Sequence, residues 1–185
     1  MIRPQVMAAG LCLLFQLGIS MPALSQEISL PPRRPGLWDV VTVTRKPDKV
    51  PKISARMCID SATDRELMDF GLKMSKDTCA RYDVRGKGTK WSIDADCTIG
   101  PLKTVTRTQI SGDFQTLVSI AIDGSVTGMP GTTGPQPTQM TQDSRWISAD
   151  CPGMKAGDIV LEGGTKINVK DMRQLRKLLP NLQIR

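Results

Sequence analysis

The sequence predicts a mainly β (or α+β) protein: a curved antiparallel sheet or small barrel, with one short helix early and an amphipathic helix at the C-terminus. Three observations predict it. Seven or eight short runs are β-branched or alternate apolar with polar residues, the pattern of half-buried strands. Turn residues rich in Gly, Pro, Asp and Ser separate these runs about every ten positions, the rhythm of a sandwich or barrel. Helical spacing of apolar residues is confined to the stretch after Ser61 and to Asp171–Leu179.

Residues 1–25 read as a secretory signal peptide. Arg3 supplies a positive n-region, Val6 to Ile19 an apolar h-region, and Ala23-Leu24-Ser25 a cleavage site. No later stretch approaches the ~20 apolar residues of a membrane span. Cys12 lies within the h-region behind Leu11, which does not suit a lipidation box, so the expected product is a soluble periplasmic protein. The remaining chain, residues 26–185, is long enough for one domain with its own core and shows no shift of composition. Its formal charge is +6, one less than the +7 of the full chain because Arg3 is removed. That excess suits an anionic envelope surface.

After a proline-rich lead-in, Pro31-Pro32-Arg33-Arg34-Pro35, the run Leu37–Arg45 is a strand by its β-branched content. Pro47, Asp48 and Pro51 make a turn, and Ile53–Met57 alternates as a second strand. Ser61-Ala62-Thr63-Asp64 has the form of a capping box, and Gly71 stands where a helix stops, which predicts about two turns. Cys79–Val84 and Trp91–Cys97 flank a turn with Gly86 and Gly88, a β-hairpin. Leu102–Ile110 is a threonine-rich strand. Phe114, Thr116, Val118, Ile120 and Ile122 then hold alternate positions, the clearest half-buried strand in the chain. Gly124–Thr138 reads as a loop, and Met140–Trp146 as a weakly patterned edge strand. A second small hairpin, Ile159–Leu161 with Ile167–Val169, precedes the C-terminal helix. There Lys170, Arg173, Arg176 and Lys177 form a basic face, which is either the solvated side of a helix docked on its own sheet or a contact to an anionic surface.

With Cys12 removed, Cys58, Cys79, Cys97 and Cys151 remain, an even set in an oxidising compartment. Three pairings are open. The hairpin favours Cys79–Cys97, which leaves Cys58–Cys151. Strand alternation places Cys97 with Tyr82, Val84, Trp91 and Ile93 but Cys79 on the other face, so the pairing needs either a bulge beside Cys79 or Cys79 lying just before the strand. A four-thiolate zinc site is the weaker reading, since no Cys-x-x-Cys pair occurs.

The chain contains no histidine, which excludes Ser-His-Asp and Cys-His catalysis and histidine general bases. No phosphate loop, Gly-x-Ser-x-Gly or Ser-x-x-Lys motif occurs, and nothing calls for a cofactor. Only seven aromatic residues are present, too few for the stacking platforms of single-strand nucleic-acid binders. Asp94 and Asp96 share a strand face and are the sole candidates for paired-carboxylate chemistry.

Several motifs together resemble a known family. Arg33-Arg34-Pro35-Gly36-Leu37-Trp38, Met57-Cys58-Ile59-Asp60, Ser75-Lys76-Asp77-Thr78-Cys79, Ile110-Ser111-Gly112-Asp113-Phe114 and the Trp146…Cys151…Gly157-Asp158 ending are similar to the bacterial domain-of-unknown-function family 3617. Lys155-Ala156 departs from the proline expected before Gly157. The resemblance implies export to the envelope and disulfide bonding, and it supplies no catalytic or binding residues.

The leading functional reading is a non-catalytic periplasmic module that binds an envelope component or another protein. The alternative is a carrier of a small apolar ligand, in a cavity lined by Trp38, Met57, Ile93, Val118, Ile120 and Trp146. A carboxylate-based enzyme is a distant third.

Overall fold

The computed structural model describes residues 30–171. The signal-peptide reading lies outside them, as do Arg173, Arg176, Lys177 and nearly all of the C-terminal helix. Lys170 is described and exposed, just beyond the last strand.

Among the described residues, nine strands form one sheet: β1 (Gly36–Lys46), β2 (Ile53–Ile59), β3 (Cys79–Lys87), β4 (Lys90–Ile99), β5 (Leu102–Gly112), β6 (Leu117–Thr127), β7 (Gln136–Ser148), β8 (Asp158–Leu161) and β9 (Lys166–Asn168). The helix α1 (Ser61–Thr78) joins β2 to β3. The order across the sheet is β3-β4-β5-β6-β7-β1-β2-β8-β9, and every neighbouring pair is antiparallel. β3 and β9 are opposite edges, so the sheet is open and the barrel alternative is not realised. The edges are unequal: β9 has 3 residues, too short a ladder to meet the 9 of β3.

Alternation sorts the strands into two faces. Trp38, Trp91, Ile93, Ile110, Val118, Ile120 and Trp146 share the face on which α1 packs, through the registers Ile93↔Thr108, Trp91↔Ile110, Ile110↔Ile120 and Trp38↔Trp146. Arg81, Asp83, Arg85, Asp94, Asp96 and Arg107 lie on the other, through Asp83↔Asp94 and Asp94↔Arg107. The core gathers at one end of the α1 face, where Trp38, Ile59, Ile110, Phe114 and Val118 are buried together.

Four sequence expectations need correction. β7 is the middle strand, not an edge. Its polar residues are matched by partners on neighbouring strands: Ser119 Oγ donates to Asp143 at 2.6 Å and Gln139 to Asp123 at 3.1 Å. The helix runs for 18 residues, through Gly71 to Thr78. One glycine costs a helix only about 1 kcal/mol, and the turns beyond it are held by the Ser75 hydroxyl on the Leu72 carbonyl and that of Thr78 on Met74. The capping box begins one residue earlier than expected, with Asp60 as N-cap: its carboxylate accepts from Thr63 N at 2.7 Å and the Thr63 hydroxyl accepts from Asp60 N at 2.9 Å.

The fourth correction lies in β6. The strand starts at Leu117, and Phe114 is a buried turn residue with φ 59°. The Asp113 carboxylate makes that turn by accepting from the backbone N–H groups of Gln115, Thr116 and Leu117. Pairing then extends well into the expected loop, to Gly124↔Thr138 and Val126↔Gln136. On its other side β6 approaches β5 closely at a glycine, since a Cβ on Gly124 would stand 2.2 Å from the Val105 carbonyl oxygen.

Candidate functional site

A groove of about 450 Å³ runs between α1 and the sheet edge. The helix wall is Leu67, Met68 and Leu72, which recur at the spacing of one helical face. The sheet wall is Tyr82 and Val84 of β3 with Ile93 of β4. Val84 is opposite Ile93 and Tyr82 opposite Ala95, so alternation alone brings these side chains to the α1 face. Leu30 and Pro32 of the lead-in complete the lining.

A smaller chamber of about 200 Å³ lies across Leu30, Leu67 and Met68, which line both. Its other walls include Phe114, Val118 and Ile120, with Arg33, Asp64, Gln142 and Ser144 as polar members. The lead-in that divides the two spaces is fixed at several points. Arg34 N donates to the Phe114 carbonyl at 2.9 Å. The Trp38 indole donates to the Arg34 carbonyl at 2.8 Å and that of Trp146 to the Pro35 carbonyl at 3.0 Å. The Arg34 guanidinium also sits 3.7 Å over the Trp146 ring, a cation–π contact.

The expected cavity residues separate into two groups. Ile93 lines the larger chamber, and Val118 and Ile120 the smaller. The other three do not line either: Trp38 is 0 % exposed in the core, Met57 packs against that core beside the Arg33 guanidinium, and Trp146 is stacked by Arg34. Leu30, Leu67, Met68, Leu72, Tyr82 and Val84 were not among the expected lining residues. For Tyr82 and Val84 the signal was available in their shared alternation with Ile93. For Leu30, isolated before a proline-rich stretch, there was none.

Three polar side chains border the aliphatic lining. The Tyr82 hydroxyl, as a phenol, is a protonated donor at neutral pH, and burial pushes its pKa further up. No described residue accepts a hydrogen bond from it. Arg65 and Asp69 stand one helical turn apart on α1, and Arg65 makes no ion pair among the described residues.

The opposite face of the sheet is a lattice of ion pairs. Arg107 Nε donates to Asp94 at 2.8 Å with Arg85 at 3.9 Å, and Arg81 holds Asp96 through two hydrogen bonds. The hydrogen bond from Arg107 lowers the Asp94 pKa and that from Arg81 lowers the Asp96 pKa. Each carboxylate is thus ionised and occupied by its own arginine. The arrangement is unlike a carboxylate dyad, which needs one member kept protonated. Among the described residues no group of three or more Cys, Asp or Glu side chains converges as a metal site requires. No helix there is long and apolar enough to cross a membrane.

Two disulfides bracket the architecture. Cys58 pairs with Cys151 at 2.06 Å and Cys79 with Cys97 at 2.03 Å. The register shifts between Cys79 and Arg81, a bulge that returns Cys79 to the face of Cys97. The first bridge ties β2 to the segment after β7, and the second fixes the junction of α1 and β3 at one end of the groove.

Among the described residues, an open antiparallel sheet with helix α1 laid across one face and cross-linked at both flanks defines a disulfide-bonded β-sheet domain. It belongs to the family described as "Protein of unknown function (DUF3617)", which matches residues 33–151. That span opens on Arg33, the partner of Asp64, and closes on Cys151, the last cysteine. No curated protein and no solved structure matches the chain.

Proposed function

We propose that the protein is an exported, non-catalytic binding module of the cell envelope, and that it works as a carrier of small apolar ligands in the groove between α1 and the sheet. The observation that carries this reading is the lining. Aliphatic side chains from a helix, two strands and the lead-in converge on about 450 Å³, within the ~300–1,000 Å³ of small-molecule sites. Export is supported by the signal-like residues 1–25 and by the two disulfides, which suit an oxidising compartment. The missing histidine and the arginine-bound carboxylates of the opposite face support a role in binding rather than turnover.

The test is uptake of an environment-sensitive apolar dye, N-phenyl-1-naphthylamine, by protein purified from the periplasm with both disulfides intact. Wild type is expected to bind with a blue-shifted, enhanced emission. Ile93→Trp, which fills the groove from the sheet side, is expected to lose that signal while keeping a cooperative unfolding transition. Equal dye binding by a folded Ile93→Trp variant would eliminate the groove as the site.

A further inference from the structure

We infer that the groove takes a single-chain amphiphile with an anionic head, its chain lying between Met68 and Ile93 and its head reaching Arg65 and Tyr82. The inference rests on the groove being the binding site and adds the class of ligand.

The walls argue for a chain. The lining is aliphatic on the helix side and on the sheet side, and its single aromatic ring is Tyr82. A flat polycyclic ligand would find no second ring to stack on, whereas an alkyl chain gains from every methylene it buries, about 0.8 kcal/mol for each. Met68 stands in both the larger and the smaller chamber. Its unbranched thioether adapts to chains of different length and bend.

The polar members argue for the head. Arg65 is the arginine in the lining of the groove, and it makes no ion pair among the described residues. A guanidinium with free N–H groups beside an apolar channel matches a carboxylate or phosphate in two parallel hydrogen bonds. The Tyr82 hydroxyl is a second donor without a described partner; a phenol is protonated at neutral pH, and burial pushes its pKa further up. Both groups donate, so the complementary ligand atom is an acceptor. Asp69 lies one turn beyond Arg65 in the same lining. It repels an anionic head and thereby confines it to the Arg65 side.

The experiment compares three probes on the disulfide-intact protein: cis-parinaric acid, its methyl ester, and the neutral dye N-phenyl-1-naphthylamine. The acid and the ester share one chain and differ in the charge of the head. Wild type is expected to bind the acid about tenfold more tightly than the ester, the scale of one charge-assisted contact. Arg65→Gln should bring the acid down to the ester while leaving ester and dye unchanged. Tyr82→Phe should weaken acid and ester several-fold and leave the dye alone. Asp69→Asn should tighten the acid. Equal affinity of wild type for acid and ester, with the dye still bound, would overturn the anionic head and leave the groove standing. If none of the three probes binds, the groove reading fails and the amphiphile with it.

Discussion

Arg33 grips Asp64 twice: its backbone N–H donates to one carboxylate oxygen at 2.9 Å and its Nε to the other at 2.8 Å. Asp64 is 1 % exposed, in the first turn of α1, and Arg33 belongs to the lead-in. The pair therefore locks the segment that divides the groove onto the helix that walls it. A charge so deeply buried is tolerated only while it is paired. Arg33→Ala is expected to cost about 3 kcal/mol, the low end for a broken buried pair, because it removes the counter-charge and leaves the carboxylate only the backbone N–H of residue 33. The double variant Arg33→Met, Asp64→Leu should recover most of that loss, since an apolar pair of similar volume is often neutral. Urea denaturation of the three proteins decides it, and an Arg33→Ala midpoint close to wild type would refute the account.

The two disulfides should differ in worth. Cys58–Cys151 spans 93 residues and Cys79–Cys97 spans 18. Loop-closure entropy then assigns about 4–5 kcal/mol to the first and about 3 to the second. Removing each pair by Cys→Ala should follow that order in denaturation midpoints. Dye binding should follow the opposite order, because Cys79–Cys97 fixes the end of α1 beside the groove. A Cys79→Ala, Cys97→Ala variant that binds dye as wild type does would separate the bridge from the site.

Much of the sheet was legible because local pattern and tertiary pairing agree there. Trp91, Ile93 and Ala95 alternate in sequence and fall on one face, and of the two ways to reconcile the parity of Cys79 and Cys97, a bulge or a Cys79 outside the strand, the register contains the bulge. β7 reads as an edge from its weak apolar pattern, yet it lies in the middle of the sheet. One of its two neighbours, β6, is near in sequence, but the other, β1, is far away: Gln142 meets Thr42 from 100 residues off, which no local window contains. Gly71 was read as a stop, yet the helix passes it, since tertiary contacts outweigh a penalty of about 1 kcal/mol. Of the groove, the sequence points to Ile93 alone, although Tyr82 and Val84 share its alternation on the same face. The helix wall and Leu30 were not legible, because a helix face at Leu67 and Met68 looks the same whether it meets a packed core or an open channel.

Acid should unfold the protein through carboxylates that the fold holds ionised. Asp158 is buried, accepts from Lys155 N, Asn168 Nδ2 and Lys166 Nζ, and has its pKa lowered from 3.8 to about 2, chiefly by the Lys155 backbone N–H. A folded pKa below the unfolded one gives stability that is present above about pH 4 and is lost as pH falls through about 2. Asp60, Asp94, Asp96 and Asp113 are also lowered and act with the same sign. Asp158→Asn is expected to cost on the order of 2 kcal/mol at pH 7, where a charged acceptor is replaced by a neutral one. It should converge on wild type near pH 2. A constant gap across that window would show that Asp158 acts through shape and not through charge.

Leu30 is the side chain best placed to set the size of the groove. It lines the larger and the smaller chamber together with Leu67 and Met68, so its volume is part of what separates them. It is half-buried against the core cluster, and truncation should therefore cost about 2 kcal/mol, near the low end for buried leucines. Leu30→Ala opens the partition while the lead-in stays tied by Arg33, Arg34 and the two indoles. The variant is expected to bind longer chains more tightly than wild type and short ones about equally, because only the longer chains reach the second chamber. Titration with fatty acids of increasing length, by displacement of the dye, measures this directly. Leu30→Trp should do the reverse and cap the accepted length. If affinity rises with chain length identically in all three proteins, Leu30 is not the partition and the two chambers are filled independently.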